Sequence, residues 1–422
     1  MSIKTEKDRG KMSANLSNAI DTVNLPRHRW YYYKEGFSPN LVNKAIDELH
    51  LGNEDLVLDP FNGSGTVTLT SAMRGIPSVG VEVNPFTAFI ARTKSQNVDA
   101  KELETLSKLM VEYIKNDSQT ISRWIGISTF TENENLKKWL FNRPVADAYE
   151  SGSRFMESVG STGIKDILKL VLISSLMDNG NARRDGKCFK YKKGWQTNGY
   201  DKASFVESLS DKLRICLEDV KTTHVEALPL IVCEDCRRFL NKDDGNYYSL
   251  CITSPPYLNT FDYTDIYRPE LFMGGFIPNN ETLYRLRLST VRSHVQALWP
   301  TPTERDFGSD YTSVMAYLLS HQDMLMCKRI PLMVQAYFED MQEIMKKLWV
   351  KMKDGGHVWV VVSTSAYAGM EIPVDTIIGH IGTTVGFTLE EIKKLRDIRK
   401  RKTKNSGNIV FLRESLIKLV KI

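Results

Sequence analysis

A rigid turn with potential catalytic residues follows one apolar segment of the chain. Residues 253–257 read Thr-Ser-Pro-Pro-Tyr and come directly after a run of strand length. Two consecutive prolines cannot continue a hydrogen-bond ladder, so they predict a rigid turn at the carboxyl end of that strand. The turn would fix two acceptors, the Ser254 hydroxyl and the Pro255 carbonyl, beside the aromatic face of Tyr257.

Such a turn is suited to a base amine. The exocyclic amine of a nucleic-acid base is a poor nucleophile, because its lone pair is delocalised into the ring. Acceptors that hold its N–H groups favour a pyramidal nitrogen, and positioning provides most of the acceleration. An aromatic ring can stack on a base that has left its helix. We therefore predict that the catalytic residues are Ser254, Pro255, Pro256 and Tyr257. A structural proline turn without chemistry is the alternative.

A second segment could bind a nucleoside. Residues 59–66 read Asp-Pro-Phe-Asn-Gly-Ser-Gly-Thr and lie between a predicted strand and a predicted helix. Their glycines allow a tight turn and close approach of a ligand, and the helix N-terminus presents free amides. Glu82 ends the next strand, where an acid can accept both ribose hydroxyls. Acids on both sides of the loop would repel a pyrophosphate, whereas Asp59 is suited to the cationic end of a ligand.

The loop therefore predicts binding of S-adenosylmethionine. The residues assigned to it here are Asp59, Pro60, Phe61, Gly63, Gly65, Thr66 and Glu82. A sheet with structural glycine turns and incidental acids is the alternative, since a lone Gly-x-Gly is common.

Both segments lie in an alternation of short apolar strands and helices. Strands are predicted at 55–59, 78–83, 228–232, 247–253 and 355–362, with 386–392 and 408–421 closing the domain. A long helical stretch is predicted over 310–351, and Ser38-Pro39 predicts a capped helix before the first strand. The order strand, glycine loop, helix, strand predicts an α/β fold with a Rossmann-like, doubly wound, mostly parallel sheet.

Changes in composition divide the chain into segments. The predicted segments are a loose N-terminal arm at 1–24, the cofactor-binding half of the core at 25–95, a mainly helical insertion at 96–226, and the catalytic half at 227–422 with a second insertion at 277–345. Ligands bind at the carboxyl ends of the strands in such sheets, so both halves are expected to contribute to one site.

The charge of the chain is mildly basic and unevenly distributed. The net charge is +5, and the cations concentrate in two runs. One run spans 183–193 and has Phe189, Tyr191 and Trp195 close by. The second run consists of Lys393, Lys394, Arg396, Arg399, Lys400, Arg401, Lys402 and Lys404. Each run alone is compatible with a solvated face, but two runs with interleaved aromatics favour a polyanionic partner.

The cysteines and the apolar runs restrict the class of protein. Six cysteines lack the spacing of a disulfide framework, and no second pair completes a zinc site with Cys233 and Cys236. We therefore expect reduced thiols in a cytoplasmic protein without a metal. The polar N-terminus does not resemble a signal peptide. No apolar run approaches the ~20 residues of a membrane helix, so no membrane partner is expected.

These motifs together resemble the amino-group DNA methyltransferases of restriction–modification type. DPFNGSGT is similar to their cofactor motif, GVEVNP to their second motif and TSPPY to their catalytic motif. The resemblance implies a class I methyltransferase fold with a helical insertion. HRWYYYKEGFSP resembles the segment before the glycine loop, so Lys34, Phe37 and Ser38 would border the methionine moiety. CEDCRRF is similar to the segment before the catalytic strand, which implies that Asp235 contacts the adenine of the cofactor.

The resemblance also implies a substrate. It points to a site-specific enzyme acting on double-stranded DNA, with a cognate restriction endonuclease as a partner. Serine before the prolines, here Ser254, is more usual for cytosine N4, although adenine N6 stays open. Asp262 and Tyr263 would lie near the flipped base, or in a structural loop. Residues 96–226 are the first candidate for target recognition and 277–345 the second.

Three other activities fit the sequence less well. No cysteine follows a proline, so the Pro-Cys nucleophile of C5-cytosine enzymes is absent. An RNA base methyltransferase is a rival, but such enzymes usually carry Asp before the prolines and an appended RNA-binding domain. A non-catalytic DNA-binding subunit is a second rival, and the intact TSPPY segment argues against it.

Overall fold

The computed structural model describes residues 4–5, 16–119, 129–186, 188–242, 245, 247–304, 306–399 and 409–422. The described strands are β1 (Lys4–Thr5), β2 (Val57–Asp59), β3 (Ser78–Val81), β4 (Ala182–Asp185), β5 (Cys188–Tyr191), β6 (Leu230–Val232), β7 (Tyr248–Thr253), β8 (Met352–Ser363), β9 (Ser365–Tyr367), β10 (Met370–Ile372), β11 (Thr388–Arg399) and β12 (Phe411–Val420). The described α-helices are α1 (Pro39–Glu48), α2 (Thr66–Met73), α3 (Pro85–Lys94), α4 (Ala100–Asn116), α5 (Arg143–Phe155), α6 (Thr162–Asp178), α7 (Lys202–Thr222), α8 (Cys236–Phe239), α9 (Tyr263–Ile266), α10 (Arg268–Met273), α11 (Asn280–Leu288), α12 (Ser309–Ser320), α13 (Ile330–Lys351) and α14 (Val374–Val385).

One sheet organises the fold. Its described strands follow the order β1, β11, β12, β8, β7, β2, β3, β6. The neighbouring strands β8, β7, β2, β3 and β6 pair in parallel. In contrast, β12 is antiparallel to both β8 and β11. The chain builds outward from β2 to β6 and then returns to the other side of β2 with β7. This doubly wound order with an antiparallel strand near one edge is that of class I methyltransferases, so the predicted fold class is confirmed.

The central strand β2 shows why the sheet is covered on both faces. Its three residues are all buried. Val57 packs into a cluster with α1, and Leu58 packs into a different cluster with α13 and α14. Successive side chains of a strand point to opposite faces, so a strand covered by helices on both sides must be apolar throughout.

A second core lies outside the sheet. Between α3 and β6 the chain forms α4 to α7 and the hairpin β4–β5. Their apolar faces share one cluster, to which Leu103, Tyr149, Leu168 and Phe205 contribute. This is the segment that we expected to be a helical insertion, and the hairpin within it is the part that periodicity did not indicate.

Two segments differ from expectation. Residues 16–24 of the expected loose arm pack on the body, where Asp21 accepts a hydrogen bond from Ser38; residues 1–3 and 6–15 lie outside the described residues. The helical stretch predicted over 310–351 is two helices, α12 and α13. Pro331 sits in the first turn of α13, where its missing N–H costs nothing, and it therefore marks a new helix rather than a continuous one.

Within the described part of the chain, no helix combines the length and the apolar character needed to cross a bilayer.

Candidate active site

A cavity of about 280 Å³ opens where the strand order reverses, at the carboxyl ends of β2 and β7. Ligands of doubly wound sheets bind at this position. The predicted site residues that line the cavity are Lys34, Phe37, Asp59, Pro60, Phe61, Gly63, Thr66, Glu82, Asp235, Ser254, Pro255, Pro256 and Tyr257. Ser38 and Gly65 are not among the lining residues and instead begin α1 and α2. The glycine loop and the diproline turn thus share one cavity.

Asp59 is a buried carboxylate at the end of β2. Only 3% of its surface is exposed. Its Oδ1 accepts hydrogen bonds from the Phe61 amide at 3.0 Å and the Thr253 hydroxyl at 2.6 Å. Burial raises the pKa of Asp59 to about 7, although these hydrogen bonds oppose the rise. A cation in the cavity would restore the charged form, so the position favours a positively charged ligand.

The glycines of the loop are required by its geometry. Gly63 has φ 50° and Gly65 has φ 86°, both in the left-handed region. A Cβ on Gly65 would lie 2.8 Å from the Ala91 Cβ, which is closer than two carbons can approach. Gly65 therefore serves the packing of α2 against α3, whereas Gly63 faces the cavity.

Glu82 is held by two backbone amides, one in the glycine loop and one at the start of α3. Its Oε2 accepts from the Gly63 amide and its Oε1 from the Asn84 amide, each at 2.8 Å. Burial raises the pKa of Glu82, and the two amide hydrogen bonds act against that rise. The Thr87 hydroxyl also hydrogen-bonds to this carboxylate, which can accept more than three such bonds. A fixed carboxylate of this kind can accept from two neighbouring hydroxyls.

The residues implied by the resemblance lie just before α1 and at the start of α8. Lys34 is exposed and Phe37 is buried. The Ser38 hydroxyl caps α1 by accepting from the Asn40 amide at 3.1 Å. Asp235 caps α8, and both of its oxygens are bound by the Arg237 guanidinium, at 3.0 Å for Oδ1 and 2.8 Å for Oδ2. Asp235 is therefore a fixed acceptor whose charge is already compensated.

Aromatic side chains form part of the cavity lining, with further rings behind them. Tyr33 and Tyr267 stack with ring centroids 5.4 Å apart and an angle of 22° between the rings. The Tyr267 hydroxyl donates to Glu35 at 2.5 Å. Tyr263 lines the cavity, whereas Asp262 caps α9 by accepting from the Thr264 amide at 2.9 Å. Of the pair expected near a flipped base, Tyr263 thus reaches the cavity and Asp262 positions its helix.

The residues after β7 connect to a carboxylate that sequence reasoning missed. The Tyr257 hydroxyl donates to Glu414 Oε1 at 2.7 Å. Burial and the Glu414 charge raise the pKa of Tyr257 well above its usual value, so the phenol stays protonated. Glu414 and Arg396 also line the cavity. The only signal in the sequence is the acid within the final strand, which also carries Arg413 and Lys418.

The cysteines show no sign of a metal centre. Cys236 is buried and Cys233 is exposed. No group of three or more His, Cys, Asp or Glu side chains that could hold a metal occurs among the described residues.

Comparison with known proteins adds relatives along most of the chain. No protein-family model matches it. It is 25% identical to type II methyltransferase M.AvaI of Nostoc sp., across 92% of this chain and 85% of that protein. It is 27% identical to type II methyltransferase M.BsoBI of Geobacillus stearothermophilus, across 98% of this chain and 88% of that protein.

The likeness to solved structures is much weaker. An rRNA methyltransferase, aviRa from Streptomyces viridochromogenes, aligns over 98% of this chain and 94% of its own at 10% identity, with a TM-score of 0.30. A likeness this low carries no argument about substrate.

Proposed function

We propose that this chain, which is similar to type II methyltransferases along most of its length, is a DNA methyltransferase of restriction–modification type that methylates the exocyclic amine of a base extruded from duplex DNA, with cytosine N4 as the target. The observation that carries the proposal is the shared cavity: the glycine loop and the diproline turn face the same space. Methyl donor and amine can therefore meet without a covalent enzyme intermediate.

The cavity fits the methyl donor S-adenosylmethionine. Glu82 is placed to accept from the two ribose hydroxyls, since both of its oxygens are fixed by backbone amides. Burial raises the pKa of the Asp59 carboxyl group, and the positive end of the donor would stabilise its charged form. When bound, the donor supplies the electrophilic methyl group.

The chain's own residues act on the amine. The Ser254 hydroxyl and the Pro255 carbonyl accept from its N–H groups and direct its lone pair toward the glycine loop. Tyr257 provides an aromatic face for the base, Tyr33 and Tyr263 also line the cavity, and the buried Tyr267 stacks on Tyr33. Serine before the two prolines supports cytosine N4; adenine N6 is the other outcome of the test below.

The hairpin β4–β5 is our candidate for contact with the duplex. Gly186, at its tip, lines the cavity. Arg183 and Lys190 lie directly opposite each other in the β4–β5 ladder, and both side chains are exposed. Like charges directly opposite each other repel; Asp185 lies 3.8 Å from Lys190 and compensates part of that charge, and DNA phosphates would remove the remaining repulsion. This assignment narrows the target-recognition candidate from 96–226 to one element; Lys187 lies outside the described residues.

The opposite face of the hairpin secures it to the body. Arg184 forms an ion pair with the buried Glu270, and its guanidinium lies 4.4 Å from the Tyr267 ring centroid. An isolated two-stranded hairpin is at best marginally stable, so this anchor is what presents the charged face at the cavity.

The basic run near the C-terminus supports DNA contact less directly. Lys394 forms an ion pair with Asp397 and Arg396 with Glu414, each at 2.6 Å. Arg399 is exposed. Lys400, Arg401, Lys402 and Lys404 lie outside the described residues.

The test is direct identification of the product. Purified protein is incubated with methyl-labelled S-adenosylmethionine and with unmethylated duplex DNA or tRNA, and the nucleosides are then separated by mass spectrometry. We expect labelled N4-methyldeoxycytidine from DNA alone. N6-methyldeoxyadenosine would change the base, label in tRNA would change the substrate class, and no label in any nucleic acid would refute methyl transfer.

A second assay addresses the partner nuclease. We infer that the modification protects host DNA from a cognate restriction endonuclease. DNA from cells that express the protein should resist a nuclease that cuts DNA from cells expressing Ser254→Ala. Equal cleavage of both DNAs by every nuclease tested would count against the protective role.

A further inference from the structure

We propose that Glu414 is a positioning residue that acts through Tyr257: it orients the Ser254 hydroxyl as an acceptor for the target amine and receives the proton that the amine releases. This inference rests on the proposed function. It concerns a group from the last strand of the sheet, far in sequence from both motifs.

Glu414 is a buried acid among the core residues of its strand. Only 2% of its surface is exposed, and Leu416, Ile417 and Leu419 further along β12 are core residues. A buried carboxylate is costly unless its charge is paired and its oxygens are hydrogen-bonded. Among the described residues each oxygen has a partner: Tyr257 donates to Oε1 at 2.7 Å, and Arg396 Nε donates to Oε2 at 2.6 Å.

The direction of these hydrogen bonds determines how Ser254 is oriented. A carboxylate can only accept, so the Tyr257 hydroxyl must donate to Glu414. The phenol oxygen is then free to accept, and the Ser254 hydroxyl lies 3.5 Å away as its donor. The Ser254 hydrogen therefore points toward Tyr257, and the lone pairs of the Ser254 oxygen remain for the substrate.

Without the carboxylate this orientation is lost. Tyr257 could then donate to Ser254, and the Ser254 hydrogen would turn toward the amine. A donor facing N–H groups is repulsive and does not favour a pyramidal nitrogen. The 3.5 Å separation is long for a hydrogen bond, and we expect it to shorten when substrate is bound, as catalytic contacts commonly do.

The same chain of hydroxyls can remove a proton. The methylated amine carries one proton too many. Its N–H bond breaks as the proton moves to the Ser254 oxygen; the Ser254 proton moves to Tyr257, and the Tyr257 proton moves to Glu414. Both hydroxyls end as they began, the amine ends neutral, and Glu414 ends as a neutral acid.

A simple structural ion pair is the rival explanation. Arg396 and Glu414 are direct cross-strand partners in the β11–β12 ladder, so they could serve the hairpin alone. In that case the Tyr257 hydroxyl would be incidental, and removing it would leave the chemical step unchanged. The two explanations therefore differ in whether Glu414 and Tyr257 act as one unit.

The experiment compares Glu414→Gln, Tyr257→Phe and the double variant in single-turnover methyl transfer, with KM for DNA and binding of S-adenosylhomocysteine as further readouts. Glu371→Gln is the matched control, because Glu371 also pairs with an arginine of β12, at 3.2 Å from Arg413, but does not line the cavity. Tyr257→Phe keeps the aromatic ring and buries no unpaired charge, so it tests the link even if Glu414→Gln folds poorly.

We expect each single variant to lower the single-turnover rate by about tenfold or more, with KM and product binding unchanged. The double variant should be no slower than the slower single variant, since both changes break the same series of hydrogen bonds. A rate within about twofold of wild type for Tyr257→Phe, or fully multiplicative losses in the double variant, would overturn the proposal. Absence of methyl transfer by the wild-type protein would instead refute the proposed function.

Discussion

The Thr253 hydroxyl donates a hydrogen bond of 2.6 Å to Oδ1 of Asp59. The two residues end β7 and β2, which pair side by side in the sheet. One opens the diproline turn and the other opens the glycine loop. This hydrogen bond joins the two functional segments at the atomic level, so displacement of one strand end would move both halves of the site.

The Ser254→Ala variant tests the acceptor role of Ser254. Loss of the hydroxyl should lower methyl transfer by roughly 100-fold, because the amine loses one of its two acceptors. Binding of S-adenosylhomocysteine should not change. Ser249→Ala is the control: Ser249 lies at the start of the same strand, where its hydroxyl donates to Asp55 at 2.7 Å. Full activity of Ser254→Ala would leave the turn without a catalytic role.

The pKa of Asp59 predicts a pH dependence of cofactor binding. Burial raises that pKa to about 7 in the free protein, so part of the population is protonated at neutral pH. A cationic ligand requires the carboxylate, which means that binding releases a proton. Affinity should therefore fall as the pH is lowered through 7, approaching tenfold per unit well below it.

Calorimetric titration with S-adenosylmethionine between about pH 6 and pH 8 measures this effect. Asp59→Asn should bind more weakly and lose most of the pH dependence, since the amide does not titrate. If the affinity of Asp59→Asn still fell with pH as steeply as that of the wild type, another group would be responsible, and Glu82 is the nearest candidate.

Gly65→Ala tests the packing of the glycine loop. The new methyl group would meet the Ala91 Cβ at 2.8 Å, and the residue would have to keep φ 86°. We expect a loss of about 1–3 kcal/mol in the free energy of unfolding. Gly52→Ala is the matched control, because no atom lies within 4 Å of its Cβ position. Equal unfolding midpoints in urea for the two variants would contradict the packing argument.

Neutralising the exposed face of the β4–β5 hairpin should weaken DNA binding. For Arg183→Gln with Lys190→Gln, the slope of log affinity against log salt should decrease by about one for each phosphate that the protein no longer neutralises. Cofactor binding should remain as in the wild type. Lys108→Gln on α4 is the control, since its side chain is 76% exposed and does not line the cavity. An unchanged slope would move the DNA interface elsewhere.

The sequence alone determined the features that depend on neighbouring residues. Glycines in the loop and prolines after β7 restrict the backbone over a few positions, so both turns could be predicted. The alternation of strands and helices indicated the fold class. The same local reasoning did not indicate the break between α12 and α13 within the helical stretch 310–351, and it was wrong about a loose segment at 16–24. Tertiary packing decides where a helix restarts and what an end segment packs against.

Only the tertiary structure decided which distant residues complete the site. Glu414 reaches Tyr257, 157 positions away, because β12 inserts antiparallel beside β8 and returns the end of the chain to the cavity. Gly186 reaches the same cavity because Arg184 anchors the hairpin on Glu270. Such interactions depend on strand order and on burial rather than on sequence spacing, so no pattern along the chain could have specified them.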